Sequence, residues 1–137
     1  MKKKRFALVL TIIVIIILGY LQYGREIEGY DSIVENSENG YIENISIVAN
    51  RLFIANKGNF SKQAIQKTID NSLNGIMFSY DIQGYPNGLY ITVYLNDTDY
   101  RNGKSSFEIS YLQDGEGEYD EKYDIKDDPD KFTLKIL

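Results

Sequence analysis

Residues 89–96 read LYITVYLN, and they decide the fold class of this chain. Every second position is apolar and the positions between are polar or aromatic: Leu89, Ile91, Val93 and Leu95 against Tyr90, Thr92 and Tyr94. A period of two is that of a β-strand with one face in a core and the other outside it. The stretch therefore predicts a sheet with one strongly apolar face.

The same alternation recurs on both sides of this strand. It occurs in IMFSYDIQ at 76–83, in SSFEISYLQ at 105–113 and in KFTLKIL at 131–137. Pro86 and Gly88 predict a turn before the central strand, and Asn102-Gly103 is a hairpin signal after it. Because hairpins join antiparallel neighbours, these four strands predict an antiparallel sheet.

A helix precedes the four strands, in FSKQAIQKTIDNSLNG at 60–75. Ser61 is a good N-cap residue, Gly75 can end the helix, and one narrow apolar face is formed by Ile65, Ile69 and Leu73. A helix with such a stripe lies on the surface of a sheet. The preceding residues 43–56 are rich in β-branched residues and predict a strand that turns near Asn50, although their spacing also fits a helix.

The predicted order is thus strand, helix and four strands. It makes this an α+β domain in which one helix covers the apolar face of a curved antiparallel sheet. The order resembles the cystatin-like topology. The resemblance is one of architecture and implies no activity.

The N-terminus, MKKKRFALVLTIIVIIILGYLQYGREIEG, has an apolar run flanked by charge. The run from Phe6 to Tyr23 would make about 27 Å of helix, close to the ~30 Å of a bilayer core. No small-x-small cleavage site follows it, and a chain without Cys has no lipoprotein site. We therefore expect an uncleaved signal anchor with its basic tip in the cytoplasm; a cleaved signal peptide is the alternative. The expected division is anchor at 1–24, polar juxtamembrane spacer at 25–42 and extracytoplasmic domain at 43–137.

Composition excludes several classes of function. The chain has no His and no Cys, which removes His-based catalysis and His or Cys metal sites. After the first five residues the net charge is −9, which disfavours nucleic acid as a partner because like charges repel. An export-type N-terminus without disulfides favours a bacterial protein. No cofactor is expected.

Two sets of residues are candidates for a binding site. In the acidic stretch 114–130, the alternating carboxylates Asp114, Glu116, Glu118 and Asp120 are weak candidates for calcium, and a solvated loop is the alternative. On the outward side of the central strand, Tyr90, Thr92 and Tyr94 are candidates for contact with a partner. Their alternative role is to brace the second face of the sheet through cross-strand pairs.

These observations lead to an expected function without identifying the partner. We expect a non-catalytic binding domain, anchored to the membrane outside a bacterial cell, that contacts another envelope protein. The alternatives are a calcium or small-ligand sensor that uses the acidic stretch and, less favoured, a carboxylate-dependent hydrolase.

Overall fold

The structure, a computed structural model, describes residues 1–38, 40–114 and 120–137. An apolar helix is followed by a five-stranded mixed sheet with helices, which is an α+β arrangement. The elements are α1 (Lys2–Tyr23), β1 (Glu28–Ser37), β2 (Gly40–Val48), α2 (Lys57–Ile69), α3 (Tyr80–Gln83), β3 (Gly88–Tyr94), α4 (Asp97–Arg101), β4 (Phe107–Gln113) and β5 (Phe132–Ile136).

The strands lie in chain order, β1 to β5, across the sheet. β1 and β2 form an antiparallel hairpin, β3 pairs antiparallel with β4, and β4 pairs antiparallel with β5. β2 and β3 are parallel, with Ile45 opposite Ile91. The expectation of an all-antiparallel sheet is therefore wrong. A chain that leaves one strand, crosses over through a helix and returns to the starting end must pair in parallel.

The order of elements also differs from the predicted one. Two strands precede α2, because the chain before β2 forms the additional strand β1, and three follow it, because the stretch 76–83 is not a strand. The side chain of Asn71 accepts a hydrogen bond from the Phe78 N–H at 2.8 Å and donates one to the Phe78 carbonyl at 2.9 Å. These bonds occupy the backbone groups that a neighbouring strand would need. The comparison with the cystatin-like topology depended on the predicted order and gains no support here.

Residues 25–42, for which the sequence predicted an irregular spacer, contain β1 and the beginning of β2. β1 is an edge strand, and its second half is exposed on both sides. A strand of that kind has no apolar alternation to reveal it. The prediction of a strand within 43–56 is confirmed by β2, which ends before Asn50, a residue with a positive φ of 54°.

The hydrophobic core lies between α2 and one face of the sheet, which we call the covered face. The sheet contributes to this core mainly Ile45, Ile47, Leu89, Ile91, Val93, Phe107, Ile109 and Phe132. α2 contributes Phe60, Ala64 and Ile65, which confirms the prediction of a helix packed on a sheet. It begins earlier than predicted, because Asn56 and not Ser61 is the N-cap: the Asn56 side chain accepts a hydrogen bond from the Asn59 N–H at 2.9 Å.

α1 is exposed along most of its length but joins the domain at its C-terminal end. Gln22 is only 5% exposed. Its Nε2 donates to the Phe53 carbonyl at 2.9 Å, and its Oε1 accepts from the N–H groups of Leu52 and Phe53 at 2.9 and 3.2 Å. A second tie lies next to it, where Asn50 Nδ2 donates to the Glu26 carbonyl at 2.9 Å. The last turn of α1 is therefore part of the folded unit.

Candidate functional site

The side chains of the sheet that point away from α2 form a second face, which we call the open face. On β2, β3 and β4 its polar and aromatic residues are Asn44, Ser46, Tyr90, Thr92, Tyr94, Glu108 and Ser110, and the aliphatic residues Ile42, Val48 and Leu112 share this face. The parallel register sets Asn44 beside Tyr90 and Ser46 beside Thr92, and the next pairs are Tyr90 with Ser110 and Thr92 with Glu108. The centre of the open face is thus polar and aromatic, whereas the covered face is mainly apolar.

A shallow depression of about 270 Å³ lies in the middle of the open face. Its side-chain lining includes Glu35, Asn44, Tyr90, Thr92 and Glu108. Two carboxylates face this depression, and its lining within the described residues includes no Lys or Arg. The Nδ2 of Asn44 is buried and has no hydrogen-bond partner within the described part of the chain. A buried amide donor without an acceptor costs free energy, and a bound group that supplied an acceptor would remove that cost.

The three candidate contact residues of β3 have different surroundings. Tyr90 and Thr92 line the depression. Tyr94 packs edge-to-face against Tyr100 of α4, with ring centroids 5.2 Å apart, and Tyr100 packs against Tyr30 at 4.7 Å. The Tyr100 hydroxyl also donates to Asp31 Oδ2 at 2.6 Å, and this hydrogen bond is the main cause that raises the pKa of Tyr100. Tyr94 is therefore packed in an aromatic cluster at one end of the sheet, whereas Tyr90 and Thr92 line the depression.

A second cavity, of about 130 Å³, lies on the covered face between β2 and the segment that precedes α3. Its lining includes Glu43, which is only 3% exposed and accepts a hydrogen bond from the Ser32 hydroxyl. Burial raises the pKa of the Glu43 carboxyl, and the Ser32 hydrogen bond opposes that rise in part. A carboxyl with a raised pKa is suited to general acid catalysis, but only beside a space that holds a substrate.

The phenols around Glu43 are engaged with the backbone. The Tyr80 hydroxyl donates to the Thr68 carbonyl at 2.9 Å, and the Tyr41 hydroxyl donates to the Gly84 carbonyl. Burial raises the pKa of Tyr41 to about 12 and that of Tyr80 further still. Both phenols are therefore neutral hydrogen-bond donors to carbonyls and are not poised as bases. The Glu43 carboxyl and both phenols are thus hydrogen-bonded to other groups of the domain around this cavity.

The acidic stretch is in part a packed segment. Asn87 is buried, and its Nδ2 donates to the carbonyls of Glu121 and Tyr123 at 3.2 and 2.8 Å. Ile125 is fully buried in the core. Ile125 is therefore packed, whereas Glu121, Lys122, Lys126, Asp127 and Asp130 of the same stretch are exposed, as the solvated-loop alternative expects. The sequence signal was available, since Ile125 is a large aliphatic residue between charged ones.

Of the four weak metal candidates, the structure describes only Asp114 and Asp120, because Glu116 and Glu118 lie outside the described residues. Asp114 accepts a hydrogen bond from the Thr133 hydroxyl, and Asp120 Oδ1 accepts one from the Lys122 N–H at 3.0 Å. Over residues 1–38, 40–114 and 120–137, no group of three or more carboxylates is arranged to hold a metal ion. The calcium prediction stays a prediction.

The sequence did not single out three of the residues that line the open-face depression: Glu35, Asn44 and Glu108. Glu108 is recognisable as an outward position of β4 from its alternation. Glu35 and Asn44 depend on β1 and on the parallel pairing of β2, which no local pattern indicates. Comparisons with family models, with curated proteins and with solved structures find no match to this chain.

Proposed function

We propose that this chain is a single-pass membrane protein of a bacterial envelope, anchored by α1 with its basic tip in the cytoplasm and its domain outside. On this proposal the domain is non-catalytic and binds another envelope protein through the open face of its sheet. α1 is long and apolar enough to cross a membrane, which is also true of a signal sequence. The distinction between the two depends on the junction of α1 with the domain.

The observation that carries the proposal is the burial of Gln22. Cleavage after the apolar run would remove a side chain that makes three hydrogen bonds to the backbone of the domain. It would leave the N–H groups of Leu52 and Phe53 without these partners. A segment that is discarded has no reason to complete the fold of what remains, so the junction favours retention of α1. The hydroxyl of Thr11 donates to the Ala7 carbonyl at 2.9 Å, which satisfies this polar group within the helix, as lipid requires.

The open-face depression supports the binding part of the proposal and indicates the chemistry of the partner. Glu35 and Glu108 supply negative charge, and Tyr90 supplies an aromatic surface beside it. A Lys or Arg side chain of the partner would satisfy both features, since a cation pairs with carboxylates and is attracted to the face of an aromatic ring. The contact need only be weak, because anchoring in one membrane raises the effective concentration of the partner.

Retention of α1 is tested by expressing the full chain in a bacterial host and measuring the intact mass of the membrane-bound protein. We expect the unprocessed mass and resistance to alkaline carbonate extraction. A matched control is the double variant Gln22→Ala and Gly24→Ala, which introduces the small-x-small pattern that signal peptidase reads. A wild-type mass that begins near residue 25 would contradict the anchor.

The contact surface is tested by placing a photocrosslinking amino acid at Tyr90 and, as a control, at Lys62 on the exposed side of α2. We expect a discrete adduct in the native membrane from position 90 and none from position 62. Glu35→Lys and Glu108→Lys should each remove the adduct by repelling a basic partner. An adduct that persists in both charge-reversal variants would contradict a basic partner at this face.

A further inference from the structure

The loop that Gln22 binds carries two neighbouring large apolar side chains that are exposed. Leu52 is 45% exposed and Phe53 is 55% exposed. They follow Asn50, whose positive φ turns the chain out of β2, and they precede Ile54, which packs partly against the core. Isolated exposed apolar residues are ordinary on protein surfaces. Here the position of the pair is what calls for an explanation.

The hydrogen bonds of Gln22 place this loop at the C-terminal end of the apolar helix. The Gln22 side chain contacts the backbone of Leu52 and Phe53 at 2.9–3.2 Å. Tyr20 and Tyr23, both well exposed, lie on the same turn of α1. Tyrosines at the end of a membrane helix lie at the level of the lipid headgroups. The loop therefore lies at that level too, beside the helix.

Most of the polar backbone groups of Leu52 and Phe53 have hydrogen-bond partners within the protein. Near lipid, backbone N–H and C=O groups need partners within the protein, because water is scarce. Gln22 supplies an acceptor for both N–H groups and a donor for the Phe53 carbonyl. Three of the four polar backbone groups of Leu52 and Phe53 thus bond to Gln22, while both apolar side chains are exposed, and this combination suits an element that enters a membrane surface.

We propose that Leu52 and Phe53 insert into the bilayer interface next to α1 and, together with Tyr20 and Tyr23, form a membrane-contacting foot. This inference rests on the proposed membrane span of α1 and adds a second lipid contact to it. Two contacts on different segments of the chain hold the sheet at a set angle to the membrane. The open face then has one orientation toward a partner in the same membrane.

The chain has no Trp, so a single introduced Trp reports on its own surroundings. We would reconstitute the full chain in phosphatidylcholine–phosphatidylglycerol vesicles and measure Trp emission with and without brominated lipids, which quench by contact. The reporter variant is Phe53→Trp. The control is Ile82→Trp, because Ile82 is 81% exposed in α3 and the neighbouring Gly84 binds Tyr41, at the end of β2 opposite to the junction. A third variant, Leu10→Trp, reports on the middle of α1.

We expect Phe53→Trp to emit at shorter wavelength than Ile82→Trp and to lose most of its emission to lipids brominated near the headgroup. Leu10→Trp should instead be quenched best by lipids brominated deep in the chain. If Leu10→Trp is quenched by deep bromines while Phe53→Trp behaves like Ile82→Trp, the proposed foot is wrong, although the proposed membrane span of α1 is supported. If Leu10→Trp is not quenched at all, the proposed anchor fails and the foot fails with it.

Discussion

The two faces of this sheet are made by alternate residues of the same strands, yet they have opposite characters. On β3, Leu89, Ile91 and Val93 are buried against α2, whereas Tyr90 and Thr92 line an acidic depression. The covered face contributes the burial of apolar area, which is the main favourable term in folding. The open face contributes little to the core, and on our proposal it binds the partner. Neighbouring residues on one strand can therefore be tested against each other.

Ile91→Ala should give the largest effect. Ile91 is almost completely buried, and truncation to Ala leaves a cavity that costs about 2–5 kcal/mol of unfolding free energy. Its neighbour Thr92 on the open face is the control, and Thr92→Ala should cost less than about 1 kcal/mol. Urea unfolding of the full chain in detergent micelles, followed by the near-ultraviolet signal of the tyrosines, measures both. Equal losses for the two variants would contradict the division into a covered and an open face.

Asn87→Ala should follow, at about 1–3 kcal/mol, because it leaves buried polar groups without partners. The Asn87 side chain accepts from the Tyr41 N–H at 3.0 Å and donates to the carbonyls of Glu121 and Tyr123. It therefore fixes the segment whose Ile125 closes the covered face. Hydrogen exchange should show faster exchange at Ile125, whose N–H donates to the Pro86 carbonyl. Unchanged exchange there would mean that this segment is held by its own packing alone.

The same contrast between faces explains how much of the fold the sequence could predict. β3, β4 and β5 have one buried and one less buried side, so their alternation is visible and their prediction is confirmed. β1 is an edge strand with most of its residues exposed, so its pattern is missing. The stretch 76–83 alternates because Phe78 and Tyr80 turn inward from an irregular segment. Alternation reports burial of side chains, and it does not report whether the backbone has a neighbour.

The candidate site was predictable only where it depends on a single strand. Tyr90 and Thr92 are outward residues of β3, and the sequence predicted them as contact residues. Asn44 and Glu35 join them through the parallel pairing of β2 with β3 and the hairpin of β1 with β2. Those pairings are contacts between distant parts of the chain, and residue periodicity carries no information about them. Gln22 was similarly missed, because its role depends on a loop 30 residues away.

The variants Glu43→Gln and Glu108→Gln compare a buried carboxyl on the covered face with an exposed one on the open face. Because burial raises the pKa of Glu43, the folded protein holds a proton there that the unfolded chain loses near pH 4.5. Stability from this group is therefore present at low pH and is lost as the pH rises from that value through the folded pKa. Glu43→Gln removes the cost of ionising a buried carboxyl, so we expect it to stabilise the protein at pH 7 by on the order of 1 kcal/mol.

The control for this prediction is Glu108→Gln, in which the replaced carboxylate is exposed. Unfolding free energies measured from pH 4 to pH 8 should show the Glu43→Gln variant diverging from wild type as the pH rises. The Glu108→Gln variant measures the effect of the same change of side chain outside the cavity. A Glu43→Gln variant that is less stable than wild type at pH 7 would indicate that the ionised carboxylate has a stabilising partner in the cavity.

Tyr100→Phe should give the smallest change in stability. It tests whether the aromatic cluster of Tyr94, Tyr100 and Tyr30 is separate from the binding surface. The variant keeps the ring contacts with Tyr30 and Tyr94 and removes only the hydrogen bond to Asp31. The phenol of Tyr100 is partly exposed, so water can replace the lost hydrogen bond, and we expect the smallest loss of unfolding free energy among these variants. Denaturant unfolding measures it, and crosslinking from Tyr90 should be unchanged. Loss of that crosslink would mean that the packing of Tyr94 against Tyr100 affects the contact at Tyr90. The aromatic cluster would then belong to the binding surface.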